Sequence, residues 1–167
     1  MSIVPIRRLP DPILKQPTRP VERIDASVER LIEALVATMR RHPRCVGLAA
    51  PQVGSGLRIA VMDASGHPKA KASHGLLVLV NPRIEPEEGS VRQREGCLSI
   101  PDFTANVRRA SRIRLQALDR SGSAFGIRLE GFEAIVAQHE VDHLDGMLFL
   151  DRVSNLSTDI FRRKTYL

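Results

Sequence analysis

Apolar residues recur at helical spacing in two segments of the chain. The first segment follows Asp25, a residue type that favours the N-cap of a helix. Its apolar positions are Val28, Leu31, Ile32, Leu35 and Met39. This pattern predicts an amphipathic helix that ends by His42–Pro43. The second segment predicts a helix from about Phe132 to Leu144, which ends near Gly146.

Four further segments carry the apolar runs or the apolar–polar alternation of β-strands. They cover residues 57–63, 76–81, 111–119 and 124–130. The last two alternate on either side of a short turn and predict a hairpin with one face on the core. The Pro-punctuated first 23 residues predict an extended surface segment, and residues 154–167 predict one short final helix.

The order of helix, strands and helix predicts an α+β fold, because repeated βαβ units would alternate regularly. We expect mostly antiparallel sheets packed around the buried second helix, with the amphipathic helix near the N-terminus. A length of 167 residues is typical of one domain, so residues 1–167 are predicted to form a single domain.

Composition excludes several classes of protein. Cys45 and Cys97 are the only cysteines, too few for a disulfide scaffold and typical of a reducing compartment. No segment reaches the roughly 18 apolar residues of a membrane span, and no signal or transit peptide is evident. We therefore expect a cytoplasmic protein without a membrane partner. The formal net charge is +6, but one Tyr, no Trp and no Lys/Arg-dense run argue against a dedicated RNA or DNA surface.

The second predicted helix is apolar on nearly every face, which predicts burial, yet it carries several polar side chains. These are Gln138, His139, Glu140, Asp142, His143 and Asp145. His139 and His143 are four residues apart and share one face, where both imidazoles can bind one metal ion. Glu140 lies beside them and can act as a base. The alternative is a solvated helix in which the HExxH spacing is accidental.

A third metal ligand is missing after this helix. Metalloproteases of the zincin kind take it from a downstream Glu or His, but the 24 residues after His143 contain neither. Upstream, Cys97 in the segment EGCLSIP can supply a thiolate and leave one position for water. The alternatives for Cys97 are a small buried hydrophobic residue or a disulfide with Cys45.

The segment CVGLAAPQVG (45–54) combines small residues with a Gly-rich turn, which lets another backbone approach closely. Gln52 is the polar residue of this segment. Its side-chain NH₂ can donate to an oxyanion, or it is an ordinary loop amide. The residue type alone leaves both interpretations open.

Together, these three segments resemble the motifs of the peptide deformylase family, in the same order. The matching residues are Gly47-Leu48-Ala49-Ala50-Pro51-Gln52, Glu95-Gly96-Cys97-Leu98-Ser99 and Gln138-His139-Glu140-Val141-Asp142-His143. The resemblance runs from the PDPIL segment near the N-terminus to the DRV segment after the last long helix, and three ordered motifs are highly specific. It implies an enzyme that removes the N-formyl group from the initiator methionine of nascent polypeptides.

The resemblance also implies roles for the matching residues. One divalent metal ion, natively Fe²⁺ with Ni²⁺, Co²⁺ or Zn²⁺ tolerated, would be held by Cys97, His139 and His143. Glu140 would take a proton from the attacking water and return it to the leaving amine. The Gln52 side chain and the Leu98 backbone N–H would stabilise the oxyanion.

Substrate contacts are implied in the same way. Family members hold the peptide as an added strand against the backbone near Gly47 and Glu95. The residues seven, four and three positions before His139, on the same helix face, are Phe132, Ile135 and Val136. We expect this apolar stripe, with Val46 on the opposite wall, to hold the methionine side chain. The alternative is that the stripe is plain core.

Two positions depart from the family pattern. Cys45 stands where most members have the first glycine of the first motif. Asp102-Phe103-Thr104 stands where many members have a basic residue near the substrate entrance.

The resemblance also suggests that Arg109 pairs with Asp142, because a buried carboxylate needs a cation.

Two other functions remain compatible with the sequence. A zincin-like metallopeptidase would share the HExxH spacing. A non-enzymatic module could use the metal as a structural staple and bind the ribosome. Independently of these two functions, the basic tail is a candidate contact with ribosomal RNA near the nascent-chain exit, the alternative being a solvated helix end; its charged residues are Arg162, Arg163 and Lys164.

Overall fold

Two helices carry most of the periodic apolar residues, as predicted. The computed structural model describes residues 2–164, with helix α1 at Ala26–Arg41 and helix α2 at Gly131–Leu144. The carboxylate of Asp25 caps α1, because it accepts hydrogen bonds from two backbone N–H groups of the first turn. Short 3-10 helices lie at Pro12–Lys15, Ala50–Val53 and Phe149–Arg152.

The strands of the described residues form two antiparallel sheets, so the predicted α+β class is confirmed. The five-stranded sheet has the order β1-β2-β3-β6-β7. Its strands are Gly47–Ala49, Ile59–Met62, Leu77–Pro86, Arg112–Leu118 and Ala124–Glu130. The three-stranded sheet has the order β4-β5-β8. Its strands are Ser90–Cys97, Ile100–Ala110 and Ile160–Arg162.

The predicted hairpin is confirmed: β6 pairs with β7, with Leu115 opposite Ile127. The long hairpin of β4 and β5 was not predicted as a whole. Strand β4 carries Arg92, Gln93, Arg94 and Glu95 in succession, and most of its side chains are exposed or half-buried, so apolar alternation is weak.

The helix predicted within residues 154–167 is wrong. The chain there makes a turn and then adds β8 to the edge of β5, with Phe161 opposite Thr104. The backbone groups of that edge need partners, and strand pairing supplies them. The Phe161 ring also packs against the guanidinium of Arg94, at 3.5 Å. Residues 165–167 lie outside the described part of the chain.

Helix α2 lies between the two sheets, and this placement builds the site. On one side Ala134 and Ala137 pack with apolar residues of the five-stranded sheet. On the other side the polar residues of α2 reach Glu95 on β4 and Arg109 on β5. Within residues 2–164, no helix combines the length and the apolar character that a membrane crossing requires.

Candidate metal centre and substrate cavity

Three potential metal ligands converge where β4 meets α2. Cys97 ends β4, and His139 and His143 lie one turn apart on α2. Their ligand atoms all lie within 4.8 Å of one another. The Cys97 Sγ is 3.2 Å from the His143 Nε2. The structure therefore brings together the three side chains that the sequence nominated as ligands.

The thiolate form of Cys97 suits metal binding, and a bound metal ion would displace the proton of His139. Burial opposes a thiolate, but the charges and hydrogen bonds of His143 and His139 hold the pKa of Cys97 well below its ordinary value. Burial likewise opposes a charged imidazole, but hydrogen bonds to Cys97 and Glu95 raise the pKa of His139 well above its usual range. A thiolate next to two imidazoles is a donor set that binds divalent transition metals.

Glu95 orients the first histidine. The His139 Nδ1 donates to the Glu95 Oε1 at 2.8 Å. The other ring nitrogen, Nε2, therefore remains available to face the other candidate ligands. The Arg109 guanidinium binds both Glu95 oxygens, at 2.7 and 2.8 Å. Burial alone would raise the pKa of Glu95, but these hydrogen bonds lower it to about 2. Sequence analysis had assigned Glu95 only to the substrate, and no spacing signal links it to His139.

Arg109 also pairs with Asp142, so that prediction is confirmed. The Arg109 Nη1 donates to the Asp142 Oδ2 at 2.5 Å, and both groups are buried. Arg152 binds both Asp142 oxygens at 2.8 Å, a second cation that sequence analysis missed. One network thus extends from Asp142 through Arg109 and Glu95 to the candidate ligand His139.

The remaining polar residues of α2 are also paired. The Gln138 side chain bonds the backbone N–H and C=O of Ala110, at 3.0 and 2.8 Å. Asp145 pairs with Arg58 at 2.7 Å. Most polar groups of this buried helix are therefore satisfied by neighbouring elements, and the alternative of a solvated helix is wrong. The His143 Nδ1 is an exception, because it has no hydrogen-bond partner among the described residues.

Glu140 differs from these residues, because its Oε2 is buried without a hydrogen-bond partner among the described residues. Its carboxylate lies against the backbone of Gly47, where a Cβ atom would stand 2.8 Å from the Glu140 Cδ. Only glycine allows this approach. Burial raises the pKa of the Glu140 carboxyl to about 7. A carboxyl in that range can accept and return a proton near neutral pH.

Gln52 is held beside the same cluster. Its Oε1 accepts the backbone N–H of Ala49 at 3.0 Å, which directs its NH₂ group inward. The Nε2 donates to the Ser99 Oγ at 3.2 Å and lies 3.4 Å from the Cys97 Sγ. Leu98 occupies the tight turn after β4 and lines the same cavity as Gln52. The amide is thus a fixed donor next to the candidate ligands, not a loose loop side chain.

A cavity of about 1060 Å³ opens over these groups. All the predicted substrate-contacting residues line it: Val46, Gly47, Glu95, Phe132, Ile135 and Val136. The apolar stripe on α2 contacts both the cavity and the core, because Val136 lines the cavity and also packs in the core of the five-stranded sheet. Phe132 is covered by the stacked ring of His67, at a centroid distance of 4.4 Å. Sequence analysis did not anticipate His67.

The cavity lies between two open strand edges. Strand β1 is the last strand of one sheet and β4 is the last strand of the other, within the described residues. Both strands contribute residues to the cavity wall. An extended peptide could pair with either edge.

Cys45 and Cys97 are both free, so the alternative of a disulfide between them is wrong. The Cys45 thiol donates to the Gly47 carbonyl at 3.1 Å. Burial, with the nearby Glu140 charge, raises the pKa of Cys45 to about 12. Cys45 is therefore a protonated thiol with a backbone acceptor.

The sequence also matches a known family over most of its length. A family model described as polypeptide deformylase matches residues 3–159. The chain belongs to this family. A similar relative, the peptide deformylase of Mesorhizobium japonicum, is 44% identical over 165 residues, which cover 98% of this chain and 92% of that protein.

Solved deformylase structures share this fold. The crystal structure of a peptide deformylase from Legionella pneumophila has a TM-score of 0.83 and 42% identity, covering 93% of this chain and 88% of that chain. A Met-Ala-Ser-bound class I type b peptide deformylase from Acinetobacter baumannii has a TM-score of 0.84 and 33% identity, covering 91% of this chain and 100% of that chain. Neither a zincin-like peptidase nor a ribosome-binding module is favoured by these matches.

Proposed function

We propose that the chain acts as one catalytic domain that hydrolyses the N-formyl group of formyl-methionyl nascent polypeptides. The products are formate and a free amino terminus. The observation that supports this function best is the convergence of three ligand side chains beside the buried Glu140 at the floor of the cavity. Family membership identifies the reaction, and the similar Acinetobacter structure holds a peptide that begins with methionine.

The candidate ligands fit one divalent metal ion. Three protein ligands leave a coordination position for water or substrate, as catalytic sites require. The resemblance favours Fe²⁺, and Zn²⁺, Ni²⁺ or Co²⁺ suit the same set of imidazole and thiolate ligands. When bound, such an ion would act as a Lewis acid and lower the pKa of a water molecule.

Glu140 would move the proton during hydrolysis. Its unpaired Oε2 accepts a proton from the water that attacks the formyl carbon. As the C–N bond breaks, the same oxygen returns that proton to the methionine nitrogen, which leaves as an amine. Glu140 is thereby restored, and the formyl group departs as formate.

Gln52 and Leu98 would stabilise the charge that develops on the formyl oxygen. The Gln52 Nε2 is fixed next to Cys97 by the hydrogen bonds of its amide to Ala49 and Ser99. The backbone N–H of Leu98 belongs to the turn directly after Cys97. Donors that are held in place before the reaction need no reorganisation as the charge forms.

The peptide would bind in the cavity between β1 and β4, next to Gly47 and Glu95. The methionine side chain would contact the apolar wall formed by Val46, Phe132, Ile135 and Val136. An unbranched thioether suits such a wall. We therefore expect formyl-Met peptides to react about a hundredfold faster than formyl-Ala peptides, as measured by kcat/KM.

Substitution at Ile135 tests this pocket. Because Ile135 lines the cavity, Ile135→Trp should fill it and lower kcat/KM for formyl-Met peptides while the metal content stays unchanged. The formyl-Ala peptide, with its short side chain, serves as the internal control and should lose less. An equal loss for both peptides would show that the pocket lies elsewhere.

Formate release from formyl-Met-Ala-Ser, measured with metal analysis of the same sample, tests the function as a whole. A deformylase produces one formate per peptide and leaves the peptide bonds intact. Cleavage of a peptide bond would indicate a zincin-like peptidase. Bound metal without formate release would indicate a structural metal site.

The cellular setting is a further part of the proposal. Nascent chains emerge from ribosomes in the cytoplasm, so we place the reaction there. Contact of the basic tail with ribosomal RNA stays a prediction, because Arg162 and Arg163 line the cavity and residues 165–167 lie outside the described chain. Ribosome co-sedimentation that persists after deletion of residues 161–167 would exclude it.

A further inference from the structure

The outer rim of the substrate cavity carries only positive charge in the described chain. Six basic residues line the cavity: Arg44, Lys69, Arg94, Arg162, Arg163 and Lys164. Of the acidic residues in the described part of the chain, only Glu95 and Glu140 line it, and both are buried at the candidate metal centre. Glu95 is already neutralised by Arg109 and His139.

Two of these cations lie on the face of the three-stranded sheet, next to β4. The Arg94 guanidinium stacks on the Phe161 ring at 3.5 Å, and its Nε lies 3.3 Å from the Asn106 Oδ1. The backbone of Arg163 is held by the Asp102 carbonyl at 2.8 Å. The Arg163 guanidinium lies over Gly96, with its Cζ 3.3 Å from the point where a Cβ would stand.

Among the described residues, neither guanidinium is paired with a carboxylate. Within residues 2–164, Arg94 and Arg163 form no ion pair, although many surface arginines of this chain do. Gly96 directly precedes the candidate ligand Cys97. The guanidinium groups of Arg94 and Arg163 therefore lie close to the candidate metal centre, on the β4 side of the cavity, where they can bind an anionic group of the substrate.

We infer that this rim selects formylated peptides that carry Asp or Glu in the residues following formyl-Met. The inference rests on the proposed function and adds a substrate class to it. With the formyl group at the metal centre, an extended chain advances about 3.3–3.6 Å per residue. The residues after methionine thus pass Gly96 and reach Arg94 and Arg163, where carboxylates are attracted and ammonium groups are repelled.

Three peptides of equal length measure this selection. They are formyl-Met-Ala-Glu-Glu, formyl-Met-Ala-Gln-Gln and formyl-Met-Ala-Lys-Lys, each with an amidated C-terminus so that no terminal carboxylate interferes. We expect kcat/KM to fall in that order, with about a tenfold span at low salt, because exposed ion pairs contribute little individually. The span should arise mainly in KM and shrink at high salt.

Substitutions test whether Arg94 and Arg163 cause this preference for acidic peptides. The double substitution Arg94→Gln with Arg163→Gln should bring the Glu-to-Lys ratio of kcat/KM close to one, whereas Arg163→Lys should preserve most of it. Arg30→Ala is the matched control, because Arg30 is exposed on α1, away from the cavity, and should leave the ratio unchanged. Metal content and Tm verify that each variant is folded.

The possible outcomes separate this inference from the function on which it rests. If no peptide releases formate, the proposed function and the inference both fail. If all three peptides react equally well, or the double variant keeps the wild-type ratio, only the inference fails. An unchanged ratio with impaired ribosome co-sedimentation would assign the rim to RNA instead.

Discussion

Glu140 and Gly47 show how two single residues depend on each other. The Glu140 carboxylate needs a buried place beside the metal ligands, and it has one only because Gly47 lacks a side chain. Burial of this group is tolerated because it raises the pKa of the Glu140 carboxyl to about 7, so that the group can carry a proton near neutral pH. The position of this candidate proton carrier therefore depends on a glycine distant from it in the chain.

Glu140→Gln separates proton transfer from metal binding. The substitution preserves shape but removes the proton acceptor, so we expect stoichiometric metal and a loss of kcat of at least about a hundredfold. Metal analysis and formate release are measured on the same sample. Cys97→Ala and His143→Ala are the comparison variants and should lose both metal and activity. Loss of metal from Glu140→Gln would mean that Glu140 is itself a ligand.

Helix α2, as an element, is fixed to the three-stranded sheet by buried ion pairs. Arg109 of β5 bridges Asp142 of α2 and Glu95 of β4. Because Glu95 also holds His139, the same contacts that dock the helix orient a candidate metal ligand. Stability and ligand geometry are thus coupled through one guanidinium.

Arg109→Ala should destabilise the fold by about 3–5 kcal/mol, because it leaves two buried carboxylates without their shared cation. The free energy of unfolding is measured by urea denaturation of the metal-loaded protein. Arg108→Ala is the matched control on the same strand, since Arg108 is exposed, and it should cost less than about 0.5 kcal/mol. Equal effects of the two substitutions would refute the role of the network.

At the scale of the whole molecule, the candidate ligands come from both the three-stranded sheet and α2. A bound ion would therefore connect these two parts, and it would stabilise the folded state by mass action, because the unfolded chain does not hold the ligands together. The metal would contribute to the stability of the whole fold as well as to the reaction.

Chelation should therefore lower the Tm of the wild-type protein by about 5–10 °C. Calorimetry before and after treatment with a chelator, and after return of the metal, measures this change. In Cys97→Ala, which lacks one ligand, the Tm should respond much less to chelator. A Tm that is identical with and without metal would argue against a bridging ion in the wild type.

The periodic elements were predictable because their signals are local. Helix α1, its Asp25 cap and the β6–β7 hairpin follow from side-chain spacing within one element. His139, Glu140 and His143 could be nominated because helical geometry alone places the two histidines on one face. Cys97 and Gln52 could be nominated as candidates, but resemblance to a family was needed to join them to the histidines.

Contacts between distant segments were decided only by the tertiary structure. The tail contains residues suitable for a helix, but it became β8 because β5 offers an open edge nearby. The predicted peptide contact of Glu95 concerns its backbone, and only the structure shows that its side chain pairs with Arg109 and His139, which lie on other elements. The sequence by itself determined the two long helices, the β6–β7 hairpin and the histidine pair, since these depend on short-range spacing. The tertiary structure decided their partners, because burial obliges each polar group to find one wherever the fold places it.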